Sequence, residues 1–286
     1  MLREIRELGF EYAELSHGIR ISLLPGIFDA VDSGEIKIST LHNFCPLPMG
    51  VTHAAPNIYQ FTSLDARERE SAVRHTLKTL ETAARVQAGL VVLHMGSVEM
   101  KDYTEKLVEM IGKGQKETPK YEKIFAEAIE KREQKKDRHM AGAYEALRRV
   151  VARAEELGLR LGIENREAIE EIPFESDFDA FFREFASPAV GYWHDTGHAQ
   201  IKENLGLIHH QLHLESFSSR LFGFHVHDVE FPGRDHRSPG SGMVDFGALT
   251  PVVKPGQIKV FEFSPSLKIE QVQSGIIHIK SIWGPE

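Results

Sequence analysis

Apolar residues follow two alternating rhythms along the chain. Short runs rich in Val, Ile, Leu and aromatic residues read as seven β-strands: "EYAELS" (11–16), "KISTLHNF" (37–44), "GLVVLHMG" (89–96), "LRLGIEN" (159–165), "AVGYWHD" (189–195), "LFGFHVHD" (221–228) and "IKVFEFSP" (258–265). Between them apolar positions recur at helical spacing, as in "SAVRHTLKTLETAARVQA" and "AYEALRRVVARAEELG", the second closed by Gly158 as a C-terminal cap. Strand and helix in alternation predict a parallel sheet of βα units, and in a chain of 286 residues this pattern gives an α/β fold of the TIM-type (β/α) barrel class. Such a barrel has eight strands, so one is missing or irregular. "REIRELG" reads as helix ahead of the first recognisable strand, which makes the first strand the absent one. Either the barrel is open with seven strands or the recorded start falls after the true one.

No Gly/Ser linker or low-complexity tract divides the sequence, and residues 1–286 read as a single barrel domain. Its longest insertion, at about 101–145, is rich in Lys and Glu and predicts extra helices over one mouth of the core, as a lid or as a contact in a homo-oligomer.

Composition narrows the class. Hydrophobic residues make up 41% and charged residues 27%, enough for a sizeable core. No apolar run reaches the roughly 18 residues of a membrane span, and "MLREIRELGF" carries charges where a signal peptide needs its apolar region, so a cytoplasmic protein without a membrane partner is expected. A net charge of −8 argues against a broad nucleic-acid footprint and favours a small ligand. The basic run from Lys131 lies within a helical pattern and reads as a solvated face. The single cysteine, Cys45, excludes an intrachain disulfide and a cysteine-based zinc cluster, and reads as a packing residue. Any metal must sit on His and carboxylate ligands.

Those ligand types collect where the strands end. Six of the seven strands finish on a polar or ionisable group, and the C-terminal face of a barrel is where such groups form a site. Strand alternation sets their direction: Val92 with His94, Gly162 with Glu164, and Trp193 with Asp195 each share a face. His225 and His227 lie opposite Phe224 and Val226, and Glu262 lies opposite Phe261 and Phe263. Glu164, Asp195, His225 and Glu262 are thus expected to converge from four strands. A lone strand-end histidine or glutamate usually packs or pairs locally, but three carboxylates in one apolar mouth require a cation to neutralise them. Three acidic ligands and one imidazole suit a single Mn²⁺, Mg²⁺ or Co²⁺, with Zn²⁺ also compatible. Around this set, His198 sits in the turn after Asp195, and the Gly/Pro loop "RDHRSPGSG" (234–242) is placed to bring Asp235 and His236 over the site. His42 and His94 end their own strands, and Arg166 is either a substrate contact or a partner of the acidic "EAIEE".

With the motifs "GIEN", "DTGHA", "FHVHD", "DHRSPGSGMVDF" and "FEFSP", the chain resembles the xylose isomerase-like TIM-barrel superfamily. That group holds sugar phosphate isomerases and epimerases, ketose 3-epimerases and endonuclease IV-type AP endonucleases. The resemblance implies that Glu164, Asp195, His225 and Glu262 hold one divalent metal, that the two glutamates move the proton, and that His198 contacts substrate. It extends over nearly the whole chain after the first helix. The implied activity is isomerisation or epimerisation of a small sugar, sugar phosphate or inosose through a metal-stabilised enediolate, with a polyhydroxy carbonyl compound as substrate and His198, His236, Asp235, Arg166, His94 and His42 around it.

Two alternatives stand beside it. In the endonuclease branch, His94, His42, His198 and His236 match additional ligands, which would make the chain a zinc phosphoesterase. That branch, however, has an aspartate where Arg234 stands here, two residues before His236. The other alternative is a catalytically silent sugar-binding barrel, because a fold does not fix a function.

Overall fold

A computed structural model describes residues 2–284. In chain order the elements are α1 (Leu2–Glu7), β1 (Tyr12–Leu15), α2 (Leu24–Asp32), β2 (Lys37–His42), α3 (Ala66–Arg85), β3 (Leu90–Leu93), α4 (Thr104–Gly112), α5 (Pro119–Glu156), β4 (Arg160–Glu164) and α6 (Phe178–Glu184). There follow β5 (Val190–Asp195), α7 (Thr196–Leu205), α8 (His210–Ser216), β6 (Leu221–Val226), β7 (Asp228–Glu230), β8 (Arg234–Arg237), α9 (Phe246–Leu249), β9 (Ile258–Phe261) and α10 (Ile269–Trp283).

Seven strands, β1 to β6 and β9, make one sheet in chain order, and each pair with a described register is parallel. With helices between them this is the TIM-type (β/α) architecture expected from the alternation, and all seven strand segments fall where the apolar runs placed them. Among the described residues no strand precedes β1, as expected, and the register slips between Ala13 and Glu14 in β1 and between Tyr192 and Trp193 in β5. The strands β3 and β5 are buried at every position, as expected for parallel strands covered on both faces. The Lys/Glu-rich stretch from 101 is helical: it holds α4 and the first part of α5, a single 38-residue helix that runs on past the expected end of the insertion. One pairing had no counterpart in the apolar pattern. Part of the loop expected at 234–242 is the short strand β8, antiparallel to β7.

Contacts cluster into two compact units. The first comprises the chain up to Ser97, Arg138–Glu164 and Asp179–Gly191; its core is built on Leu15, Leu41, the β3 run, Leu161 and Ile163, all fully buried. The second comprises Val98–Asp137, Asn165–Phe178 and the chain from Tyr192 onward, with Trp193, Phe224, Val226 and Phe246 among its buried side chains. In this unit Arg132 of α5 is fully buried, donating to the carbonyls of Ile169 (2.8 Å) and Glu171 (3.2 Å) and pairing with Asp177. It thereby fixes the segment that follows β4. No helix among the described residues is long and apolar enough to cross a membrane.

Candidate active site

In the first unit, register alone brings three of the expected residues together. Leu93 lies level with Ile163 in the parallel pair β3–β4, so the next positions, His94 and Glu164, are neighbours, and His42 is level with Val92. His94 Nε2 is 2.6 Å and His42 Nε2 3.5 Å from Glu164 Oε2, and the two imidazole nitrogens are 3.1 Å apart. All three side chains are buried. The other ring nitrogens face oxygens that only accept: Asn43 O at 2.9 Å from His42 Nδ1, and Asn57 Oδ1 at 3.1 Å from His94 Nδ1. Both Nδ1 atoms therefore carry the proton, and two Nε2 lone pairs converge with a carboxylate oxygen. Such a convergence is favourable only around a shared cation, a proton or a metal ion.

In the second unit, Asp195 ends β5 and also caps α7, its Oδ1 accepting the His198 N–H at 2.7 Å. A carboxylate at that position gains from the helix dipole, which lowers the cost of keeping it charged and fully buried. Asp195 and His225 are matched residues of β5 and β6, and Glu262 follows β9, its N–H 3.3 Å from the Val226 carbonyl. The result is one imidazole nitrogen, His225 Nδ1, 3.8 Å from Asp195 Oδ2 and 3.4 Å from Glu262 Oε2. His236 Nε2 approaches Glu262 Oε1 at 3.5 Å, and its Nδ1 is 3.1 Å from Asp235. Burial opposes ionisation of Glu262, but the charges of His225 and His236 outweigh it and hold the carboxyl well below its usual range. Burial likewise opposes charge on His236, yet its bonds to Asp235 and Glu262 push it up to about 11. The pair is thus a glutamate beside an imidazolium.

His198 stands 3.4 Å from Asp195 Oδ2 and 3.2 Å from Arg166 Nη1. Arg166 pairs with the acidic segment that follows it, its Nε donating to Glu171 at 3.0 Å. Glu167, His198 and Asp235 offer ligand atoms within 4.8 Å of one another. Of the expected site residues, Asp195, His198, His225, Asp235, His236, Glu262 and Arg166 lie in the second unit, and His42, His94 and Glu164 in the first. Cys45 is fully buried, and burial followed by the charge of Glu14 pushes its thiol up to about 12, which suits packing and not nucleophilic chemistry.

Several residues escaped the sequence pattern. His227 was assigned to the face of His225 but given no role; its ring bonds to Asp195 Oδ2 at 3.0 Å and accepts the His236 N–H at 3.0 Å. Burial disfavours charge on this ring and Asp195 favours it, with a net rise in pKa; the donor at Nδ1 nevertheless leaves that nitrogen without a proton, so the ring is the Nε2–H tautomer. Asp228 accepts four backbone N–H groups, from Val229, Gly240, Gly242 and Val244 at 2.8–3.0 Å, and so ties down the glycine loop after β8. On the other face of β5, His213, Tyr192, His194 and His210 form a buried chain through Tyr192 Oη (2.8 Å to each of His213 and His194) and a 2.9 Å contact between His194 and His210.

Parallel strands alternating with helices define a TIM-type barrel, and within each unit imidazoles and carboxylates gather past strand ends. The family model described as xylose isomerase-like TIM barrel matches residues 2–258, and the chain belongs to that family. In fold it is similar to 3-keto-D-glucoside 4-epimerase from E. coli (TM-score 0.69, 16% identity, 98% of this chain and 92% of that one). It is also similar to a D-tagatose 3-epimerase-like protein (TM-score 0.68, 16% identity, 98% and 91%). A third similar structure is D-psicose 3-epimerase with D-tagatose from Clostridium cellulolyticum H10 (TM-score 0.67, 14% identity, 99% and 93%). No curated protein matches the chain in sequence.

Proposed function

We propose that the chain is an isomerase or epimerase of a small polyhydroxy carbonyl compound, a ketose, aldose or inosose with or without phosphate, and that it works with one divalent metal ion. The observation that carries this reading is His225 Nδ1 facing both Asp195 and Glu262 from matched strand ends. Glu164, at the end of β4, is the proposed fourth ligand. Two carboxylates about one buried imidazole fit a divalent cation in donor chemistry, and a third carboxylate fits it further. Mn²⁺, Mg²⁺, Co²⁺ and Zn²⁺ are all compatible.

A divalent ion held there supplies electrophilic polarisation of a carbonyl oxygen and its neighbouring hydroxyl. The chain's own residues do the rest. Glu164 and Glu262 act as base and acid, one taking the proton from the hydroxyl-bearing carbon next to the carbonyl and the other returning it. His198, Arg166, Asp235, His236, His94 and His42 orient hydroxyl groups. The similar solved structures named for sugar epimerases support this substrate class. The test is exchange in deuterated water: wild-type protein with Mn²⁺, incubated with a panel of ketoses, their phosphates and inososes, should lose one C–H signal by NMR in at least one of them. No exchange with any member, together with ligand-induced thermal stabilisation, would favour the silent sugar-binding barrel.

A second reading rests on the His42, His94 and Glu164 cluster in the first unit, a self-sufficient ligand set for a further ion. It is the endonuclease IV-like zinc phosphoesterase. Two or more zinc ions per chain and cleavage of an abasic-site duplex would support it.

A further inference from the structure

We infer that His227 is a positioning residue that couples the strand-end carboxylate Asp195 to the β7–β8 ribbon presenting His236. Its backbone is held first: Thr196 Oγ1 donates to His227 O at 2.7 Å and accepts from His227 N at 3.1 Å. Its ring then lies over Gly197, where an added Cβ would sit 2.0 Å from Cε1. The glycine of "DTGH" is therefore the space that the imidazole fills. With both ring nitrogens engaged, Nε2–H donates to Asp195 and Nδ1 accepts from the backbone of His236.

The receiving end needs such a hold. His236 has φ +53, a left-handed conformation that a side chain beyond glycine adopts only when its surroundings impose it. Two bonds impose it here: N–H to His227 Nδ1 at 3.0 Å, and the His236 carbonyl accepting from Ser264 N at 3.0 Å. The two rings also stack, 4.4 Å apart and 21° from parallel. One side chain thus sets both the direction of the Asp195 carboxylate and the seat of His236. Neither half of this bridge uses the proton-moving groups.

The Asp195 half rests on the proposed reading of that residue as a metal ligand; the ribbon half does not. His227→Asn and His227→Gln separate them, because the Asn carbonyl oxygen falls near Nδ1 and the Gln amide nitrogen near Nε2. Two measurements on the full chain read the two bonds: Mn²⁺ affinity by calorimetry, and hydrogen exchange of the His236 amide in metal-free protein. His227→Gln should bind Mn²⁺ within about three-fold of wild type while His236 exchanges at least about ten-fold faster. His227→Asn should keep slow exchange and lose about ten-fold or more in Mn²⁺ affinity, the range found when a group hydrogen-bonded to a metal ligand is removed. Wild-type values in both measurements for both variants would overturn the bridge. Equal losses in both variants, matched by His227→Phe, would reduce His227 to packing. Should wild-type protein bind no Mn²⁺, the metal reading fails and the Asp195 half with it, and the exchange measurement alone decides the ribbon half.

Discussion

His94 Nε2 lies 2.6 Å from Glu164 Oε2, and each ring nitrogen on the far side of His94 and His42 is occupied by donation to an oxygen. The cluster is thus pre-oriented toward a cation. Elemental analysis of unsupplemented protein should find about one divalent ion per chain under the isomerase reading, and two or three zinc ions under the phosphoesterase reading. Dialysis against a chelator should lower Tm, and returning the ion at about 100 times its Kd should restore roughly 2.7 kcal/mol of stability. A Tm indifferent to chelator and to every added ion would remove the metal from both readings.

Glu262 is held ionised beside the imidazolium of His236, which is the state a proton acceptor needs before it works. Glu262→Gln keeps one oxygen, which can serve the ion or accept from His236, but it cannot take or return a proton. C–H exchange should fall by about 10²–10⁴, the usual contribution of a positioned acid or base, with substrate binding retained. An unchanged kcat would show that the proton passes elsewhere.

Much of this site was legible in the chain itself. Alternation placed Glu164, Asp195 and His225 at strand ends because parallel strands buried on both faces leave no other place for a charge. Register could not be read, and it is register that sets His94 beside Glu164. The β7–β8 ribbon was missed for a different reason: its strands are three and four residues long and carry no alternating apolar face. His227 was visible in "HVHD", but its partner is the backbone of His236, and a backbone donor leaves no mark in a sequence. His194 stood next to Asp195 and points to the other side, where His210 and His213 arrive from a helix that no pattern ties to β5.

Gly197 and His227 make a pair that can be tested by size. An alanine at 197 would put its Cβ 2.0 Å from the His227 ring, and the imidazole, bonded at both nitrogens, cannot step aside without losing a partner. Gly197→Ala should cost about 1–3 kcal/mol, as overpacking in a core does. Adding His227→Ala should recover part of that cost, since residues in contact do not contribute additively. Chemical denaturation of the two single variants and the double variant measures the coupling; strictly additive losses would mean that the ring is not what Gly197 accommodates.

The histidine chain behind β5 predicts acid sensitivity. Gln200 Nε2 donates to Glu203 and Asn204, so its Oε1 faces His210 Nδ1 as an acceptor. His210 Nε2 then accepts from His194, His194 Nδ1 accepts from Tyr192, and Tyr192 accepts from His213. Every member is neutral, and burial lowers His210 to about 4 and His213 to about 3. Above pH 6.5 folded and unfolded chains both leave these rings uncharged, and they add nothing to the pH dependence. Below it the unfolded chain takes up protons that the folded chain refuses, so stability falls as pH drops from about 6.5 toward 4, by about 1.4 kcal/mol per ring for each pH unit. His213→Gln removes one titrating ring while an amide N–H can still reach Tyr192. Urea midpoints measured from pH 7.5 to 4.5 should therefore fall less steeply in this variant than in wild type, even if its stability at pH 7.5 is lower. Parallel slopes would show that His213 takes up its proton in the folded state as readily as in the unfolded one, and the buried chain would not be the acid-labile element.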